Sequence, residues 1–305
     1  MKAIRIHEYG GADVLRYEDA PVTELLPDDV LIRVAAASFN PIDAKIRQGF
    51  MQEHLPKLLP FVLGWDCAGT VERIGGEVSR FKVGDEVFTM PEFARGGTYA
   101  EFVAVNENQV ARKPQTLSLV EAAALPMTAQ TALTALKAAD VRRGQTILIH
   151  GGAGGVGTMA IQMAKARGAS VVTTASGSGI ELVKDLGADE VIDYKAANFR
   201  HVVSNMDVVL DLIGGQTQED SWGVLKKGGV LVATAFPPAP EKAVQHSVRA
   251  TFIFTQPSGA ALEEIAALVD DGNLRPVISA EISLANARQA HEAKGGNGKT
   301  VIRIE

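Results

Sequence analysis

The sequence predicts an α/β chain in which a doubly wound parallel sheet is joined to a barrel-like, partly antiparallel β unit. Three observations carry this prediction. At 305 residues, 46% hydrophobic and 22% charged, the chain is long and apolar enough for a sizeable core and, at ~150 residues per domain, for two domains. Its first third is a series of short β-prone runs punctuated by Gly, Pro and Asp. After Arg143, continuous apolar runs alternate with helical segments, which is the pattern of parallel strands covered on both faces.

Each element follows from its residues. In the first third, strands are predicted at 30–34, at 69–74 before Gly75-Gly76, at 83–88, and at 99–105, where apolar and polar residues alternate. From Ser118 to Ala139 the chain is rich in Ala and Leu and interrupted only by Pro126. Ser118 followed three positions later by Glu121 predicts a capped helix start. The middle section predicts strands at 146–150, 170–174, 190–192, 207–210, 229–232 and 251–254. Helices are expected after the first glycine-rich turn and around 180–186. Beyond Ser258 come a helix over 262–269 ended by Gly272 and short strands at 276–278 and 300–304. These last strands resemble the first third, so the chain is predicted to return to its first domain. The expected division is 1–122 with 258–305, and 123–257 as the insert.

The middle section holds the strongest local signal. Gly152-Ala153-Gly154-Gly155-Val156-Gly157 reads G-x-G-x-x-G, and it follows a predicted strand and opens a predicted helix. Glycines allow the tight turn and let backbone N–H groups approach a pyrophosphate, while the helix N-terminus turns partial positive charge toward that anion. A Rossmann dinucleotide-binding unit is the reading; a glycine turn that only packs a helix on a sheet is the plain alternative. An NAD site places Asp or Glu about 20 residues after the loop, on the ribose 2′-hydroxyl. Here no acidic residue lies between Gly157 and Glu181, and the strand end reads Ala175-Ser176-Gly177-Ser178. Ser176 and Ser178 can donate to a 2′-phosphate that a carboxylate would repel, which favours NADPH. Lys195 is the candidate basic partner, with an ordinary solvated lysine as the alternative.

Composition narrows the partners. Thirty Lys and Arg against 36 Asp and Glu give a net charge of −6, which argues against nucleic acid. The single cysteine, Cys67, excludes an intrachain disulfide and any structural zinc site that needs several thiolates. The start, MKAIRIHEYGG, shows no secretory apolar stretch, and no apolar run approaches the ~18 residues of a membrane span. The expectation is a cytoplasmic protein with no membrane partner.

Across nearly its whole length the sequence resembles the medium-chain dehydrogenase/reductase superfamily, and within it the zinc-independent quinone oxidoreductase (zeta-crystallin-like) group. The likeness rests on Asn40-Pro41-Ile42-Asp43 with Arg47-Gln48-Gly49, on 63–71 (LGWDCAGTV), 81–87 (FKVGDEV), 96–101 (GGTYAE) and 122–126 (AAALP) with Thr128, on 150–157, on 186–189 (LGAD), on Val191-Ile192-Asp193-Tyr194 and on Gly298-Lys299. The resemblance implies a GroES-like catalytic unit around the Rossmann insert. It also implies hydride transfer from NADPH, in a cleft between domains, to a small electrophilic acceptor, a quinone or an α,β-unsaturated carbonyl. Dimers are common in the group, so a homodimer is expected.

Position by position, the resemblance also assigns roles. Zinc-dependent relatives carry a cysteine where this chain has Asn40 and a histidine where it has Trp65, so no metal is expected; without a Lewis acid, alcohol chemistry is disfavoured. Asn40 would bond the acceptor oxygen or the nicotinamide ribose, or only cap a loop. Asp43 would orient Asn40 or a proton-delivering water, or simply start a helix. Thr128 would face the nicotinamide or cap a helix. Tyr194 would stack on, or hydrogen-bond, the adenosine end. Lys299 would contact the cofactor from the C-terminal side, or sit in a plain turn. Lys45 and Phe50 stand in the regions where relatives often carry tyrosines, so no tyrosine proton donor is evident. His150, at a strand end, reads as structural. The competing function from another class is a catalytically silent NADPH-binding protein with a redox-sensing or interaction role; a zinc alcohol dehydrogenase is the third reading.

Overall fold

The computed structural model describes residues 1–53, 59–293 and 295–304, which divide into two compact units. Unit 1 comprises 1–130, 256–272 and 278–305; unit 2 comprises 131–255 and 273–277. The chain leaves unit 1 at 130/131 rather than at 122/123, and returns at 255/256 rather than 257/258. The first shift has a clear cause. Residues 122–125 are buried, and the helix that contains Ala122 packs on strands of unit 1.

Unit 1 opens with β1 (Lys2–Ile6), β2 (Arg16–Asp19) and β3 (Asp29–Ser38), followed by α1 (Pro41–Arg47), β4 (Phe61–Val62), β5 (Cys67–Ile74), β6 (Glu86–Thr89), β7 (Phe102–Asn106) and β8 (Val110–Arg112). Helix α2 (Leu119–Ala122) starts as the sequence predicts: Ser118 Oγ accepts from the Glu121 N–H and Glu121 reaches back to the Ser118 N–H. Helix α3 (Pro126–Ala138) contains the unit boundary.

Unit 2 carries β9 (Thr146–Ile149), α4 (Gly155–Ala166), β10 (Ser170–Ala175), α5 (Gly179–Asp185), β11 (Glu190–Asp193), β12 (Met206–Asp211), α6 (Gln216–Ser221), β13 (Leu225–Ala233), α7 (Pro240–His246) and β14 (Arg249–Phe252). Its strands form one parallel sheet in the order β11-β10-β9-β12-β13-β14, the doubly wound arrangement. The strands are nearly continuous apolar runs because helices cover both faces. Leu148, Val172, Ile192 and Val209 are buried together with Phe199 and Met206.

The chain then adds α8 (Gly259–Asp270), β15 (Ile278–Ser283), α9 (Arg288–Glu292) and β16 (Lys299–Arg303) to unit 1. The larger sheet of unit 1 runs β15-β16-β3-β5-β6-β8, with β7 also on β3; β2-β1-β4 form a small second sheet. All of these pairs are antiparallel except β15 with β16. Trp65, Tyr99, Leu63, Ile32 and Met90 form part of the core.

Several strand limits differ from the sequence prediction for local reasons. The strand expected from Val83 starts at Glu86, because Gly84 turns with φ +93 and Asp85 accepts from the Lys82 N–H. The run at 99–105 becomes strand β7 only at Phe102, since Tyr99 and Ala100 bond β1 instead. The strand expected at 276–278 is β15, and Pro276, which has no N–H, lies outside it. Strand β14 ends at Phe252 rather than Phe254.

Candidate active site

Unit 2 supplies a dinucleotide loop between β9 and α4. Gly151 is its left-handed residue, with φ +74, and lies just outside the predicted motif. The loop is pinned to β10: the Gly151 N–H donates to Thr174 Oγ1 and the Gly152 N–H to the Thr174 carbonyl, both at 3.1 Å. The motif glycines are there for different reasons. A Cβ on Gly152 would lie 2.0 Å from Thr173 Oγ1, and one on Gly157 would lie 2.3 Å from the Gly151 carbonyl oxygen. Those two positions are small because the loop folds against itself. Gly154 is different: its φ is −76, and the nearest atom to an added Cβ is the Gly151 oxygen at 3.4 Å. Protein packing leaves room there for a side chain.

Gly154 also occupies the N-cap of α4, where no side chain accepts from the first turn. The opening N–H groups of a helix have no intrahelical acceptor. An uncapped, glycine-lined helix start is a cradle for an anionic pyrophosphate, so Gly152, Ala153, Gly154, Gly155, Val156 and Gly157 fit a dinucleotide.

The strand ends beside the loop bring the remaining unit 2 candidates together. Ala175 and Asp193 pair at the ends of β10 and β11, and the Tyr194 N–H donates to the Ala175 carbonyl. Ser176 and Ser178 leave one strand end while Tyr194 and Lys195 leave its neighbour. Both Tyr194 and Lys195 are exposed. His150 is buried at the end of β9, within hydrogen-bond distance of Thr174 and Ser221, and burial depresses its pKa to about 4. It is a neutral packing residue.

Unit 1 gathers a different set of residues around the starts of α1 and α3. Asp66 is wholly buried and accepts four donors. Oδ1 takes the Met127 N–H at 2.7 Å; Oδ2 takes Ser38 Oγ and Asn40 Nδ2, each at 2.8 Å, and Lys299 Nζ at 3.3 Å. Lys299 also donates to Asn40 Oδ1 at 2.6 Å and to the Phe39 carbonyl at 2.7 Å. Its three ammonium protons thus have three acceptors inside unit 1, and the residue is 5% exposed. This corrects the expected cofactor contact: Lys299 has no donor left for a ligand.

The same network redefines the other unit 1 candidates. Asn40 is buried, and its amide is taken up by Asp66 and Lys299 rather than presented to a substrate. Asp43 Oδ2 accepts from the Asn40 N–H at 2.8 Å and from the Tyr99 hydroxyl at 2.7 Å, so it fixes the first turn of α1. Its Oδ1 is buried without a partner among the described residues, and burial pushes the carboxyl up to about 7. Thr128 caps no helix start. It lies inside the first turn of α3, where its hydroxyl donates to the carbonyls of Ala124 and Leu125, leaving its lone pairs as acceptors.

Asp66, Ser38 and Tyr99 are the residues that sequence reasoning missed. Asp66 did leave a signal, as the one acid in the apolar run from Phe61 to Ala68. Such an acid must be paired or hydrogen-bonded when buried. What it pairs with is not local.

Comparison with known proteins adds an independent line. Residues 26–115 match a family profile described as an alcohol dehydrogenase GroES-like domain, and residues 186–302 match one described as a zinc-binding dehydrogenase. The chain is 40% identical over 291 residues to a 2-methylene-furan-3-one reductase of Solanum lycopersicum, covering 91% of this chain and 71% of that protein. It is 38% identical over 317 residues to a chloroplastic NADPH-dependent alkenal/one oxidoreductase of Arabidopsis thaliana, covering 99% of this chain and 79% of the relative. The solved quinone oxidoreductase from Coxiella burnetii superposes with a TM-score of 0.94 at 37% identity, covering 100% of this chain and 99% of that one.

The zinc named in the second profile does not fit the side chains here. Among the described residues, no group of three or more His, Cys, Asp or Glu side chains is placed to hold a metal ion. Cys67 is buried, and desolvation, with the Asp66 charge beside it, pushes its thiol well above the ordinary range. The oxygens of Asp66 are already occupied by four donors.

Proposed function

The chain belongs to the quinone oxidoreductase group of the medium-chain dehydrogenase/reductase superfamily, and from that premise we propose that it reduces a quinone or an α,β-unsaturated carbonyl with NADPH. The observation that carries the cofactor half is Gly154. It is a glycine whose space the protein does not fill, set at the uncapped start of α4. The N–H groups of Ala153, Gly155, Val156 and Gly157 hold the pyrophosphate, because those of Gly152 and Gly154 already go to the Thr174 and Gly151 carbonyls. Ser176, Ser178 and Lys195 receive the 2′-phosphate, and no carboxylate lies between Gly157 and Glu181 to repel it. Tyr194 covers the adenosine end. When bound, NADPH supplies the hydride.

The acceptor half follows from what the unit 1 side chains can do. Hydride transfer to an ordinary ketone needs a group that polarises the carbonyl, either a Lewis acid or a free strong donor. Lys299, Asn40 and Thr128 already direct their donors to protein oxygens. This arrangement suits an acceptor that is electron-poor without help. The chain's part is then to bind, align and shield the reactants, from which large rate gains arise.

The test is NADPH consumption with panels of quinones and enones, alongside binding measured by titration. Acceptor-dependent oxidation with at least one panel supports the reading. Tight NADPH binding with no consumption on either panel would replace it with the silent binding protein.

A further inference from the structure

We propose that Lys299 is a positioning residue of this reductase: from the C-terminal strand it clamps the turn that carries Asn40 and, through Asp66, the first turn of the helix that carries Thr128. The proposal rests on the reductase reading above.

The geometry is long-range and specific. Lys299 begins β16, whose Val301, Ile302 and Arg303 pair with Ser38, Ala37 and Ala36 of β3. Where β3 ends, the Phe39 N–H donates to the Thr300 carbonyl, and Lys299 Nζ reaches the Phe39 carbonyl and Asn40 Oδ1. One ammonium therefore holds both the backbone and the side chain of the turn that opens α1. Through Asp66 it also reaches the start of α3, because Asp66 Oδ1 accepts the Met127 N–H one residue before Thr128. Lys299, Asn40 and Asp66 form a closed triangle, each bonded to the other two.

Stability alone does not account for this arrangement. Replacing a buried ion pair with packed apolar residues is often neutral or stabilising. A Lys–Asp pair whose remaining bonds go to Ser38, Asn40, Phe39 and Met127 fixes angles between segments, which apolar packing does far less sharply. The segments so fixed open α1 and α3, and the second carries Thr128, whose hydroxyl oxygen keeps lone pairs that can accept from a ligand.

The experiment compares wild type with Lys299→Met, Asp66→Asn and the double variant Lys299→Met/Asp66→Asn. Lys299→Met leaves the Asp66 charge buried without its counter-ion, and Asp66→Asn does the converse, so each single variant loses thermal stability. The double variant buries no net charge and regains most of it. Turnover follows Lys299 rather than stability: the double variant keeps the NADPH Kd within about twofold of wild type while kcat falls about tenfold or more, and Asp66→Asn retains more kcat than the double variant. A double variant with wild-type kcat overturns the proposal. So does a rise of about tenfold in the NADPH Kd with kcat unchanged, which would return Lys299 to cofactor binding. A wild-type protein that consumes no NADPH removes the reductase reading and this proposal together, whereas an active wild type with an equally active double variant removes only the proposal.

Discussion

The glycine loop of unit 2 and the polar network of unit 1 solve opposite problems. The loop is built from backbone: no side chain caps the opening N–H groups of α4, and its residues are small so that a ligand can approach. The network is built from side chains and turned inward. Ser38 and Asn40, Asp66, and Lys299 come from three distant segments and satisfy one another almost completely. A binding surface leaves donors unfilled and a positioning device fills them, so the count of remaining donors separates the two. By that count Lys299 moves from the first class to the second; Gly154, whose own N–H goes to the Gly151 carbonyl, serves the first by leaving space at the start of α4.

Two glycine substitutions test this contrast most severely. Gly157→Val drives a side chain into the Gly151 and Gly152 backbone and is expected to cost more than about 3 kcal/mol, enough to prevent stable folding of unit 2. Gly154→Val meets only the Gly151 oxygen, so the protein should keep its melting temperature within a few degrees while NADPH binds about a hundredfold more weakly. Circular dichroism melts and NADPH titrations check both. A folded Gly154→Val protein with unchanged affinity would take the cofactor away from this loop.

The same contrast explains how much of the molecule was legible in its residues. The loop is a contiguous string whose spacing carries its own geometry, so Gly152, Gly154 and Gly157 stand out before any fold is known. The strands of unit 2 are legible for a similar reason, since parallel strands buried on both faces are unbroken apolar runs. The Asp66–Lys299 contact spans 233 positions, and no local period announces it. The early strands were harder to delimit because Tyr99 and Ala100 pair with β1, a partner nearly a hundred residues away. Thr128 was legible as a helix-start residue but not in its rotamer, which turns the hydroxyl back on Ala124 and Leu125.

Between about pH 4 and 7 the two regions should respond with opposite sign. Burial raises the Asp43 carboxyl to about 7, against an ordinary value of 3.8, so folding takes up a proton between those values. The contribution of Asp43 is then fully present below about pH 4 and is lost as pH rises through 7. His150 has the opposite sign. Its pKa falls from 6.5 to about 4, so its contribution is present above pH 6.5 and is lost as pH falls through 4. Peptide-resolved hydrogen exchange should show unit 1 loosening as pH rises from about 4 to about 7 and unit 2 loosening as pH falls from 6.5 to about 4. Asp43→Asn is expected to flatten the loss in unit 1 between about pH 4 and 7, and equal slopes in that variant and wild type would show that Asp43 is ionised in the folded protein throughout.

The smallest effect is expected at the exposed strand ends. Lys195→Ala should raise the NADPH KM by about three- to tenfold and leave the NADH KM unchanged, since a solvent-exposed charge-assisted contact is worth about 1 kcal/mol. Equal changes with both cofactors would make Lys195 an ordinary surface residue.

The proposed chemistry is hydride transfer to an acceptor activated by its own conjugation. It is tested most directly by supplying NADPH labelled with deuterium at the transferred position of C4, together with an α,β-unsaturated carbonyl, and locating the label by mass spectrometry and NMR. Deuterium at the β-carbon of a saturated ketone or aldehyde product is the predicted result. Deuterium on the carbonyl carbon of an allylic alcohol, with the alkene intact, would contradict it.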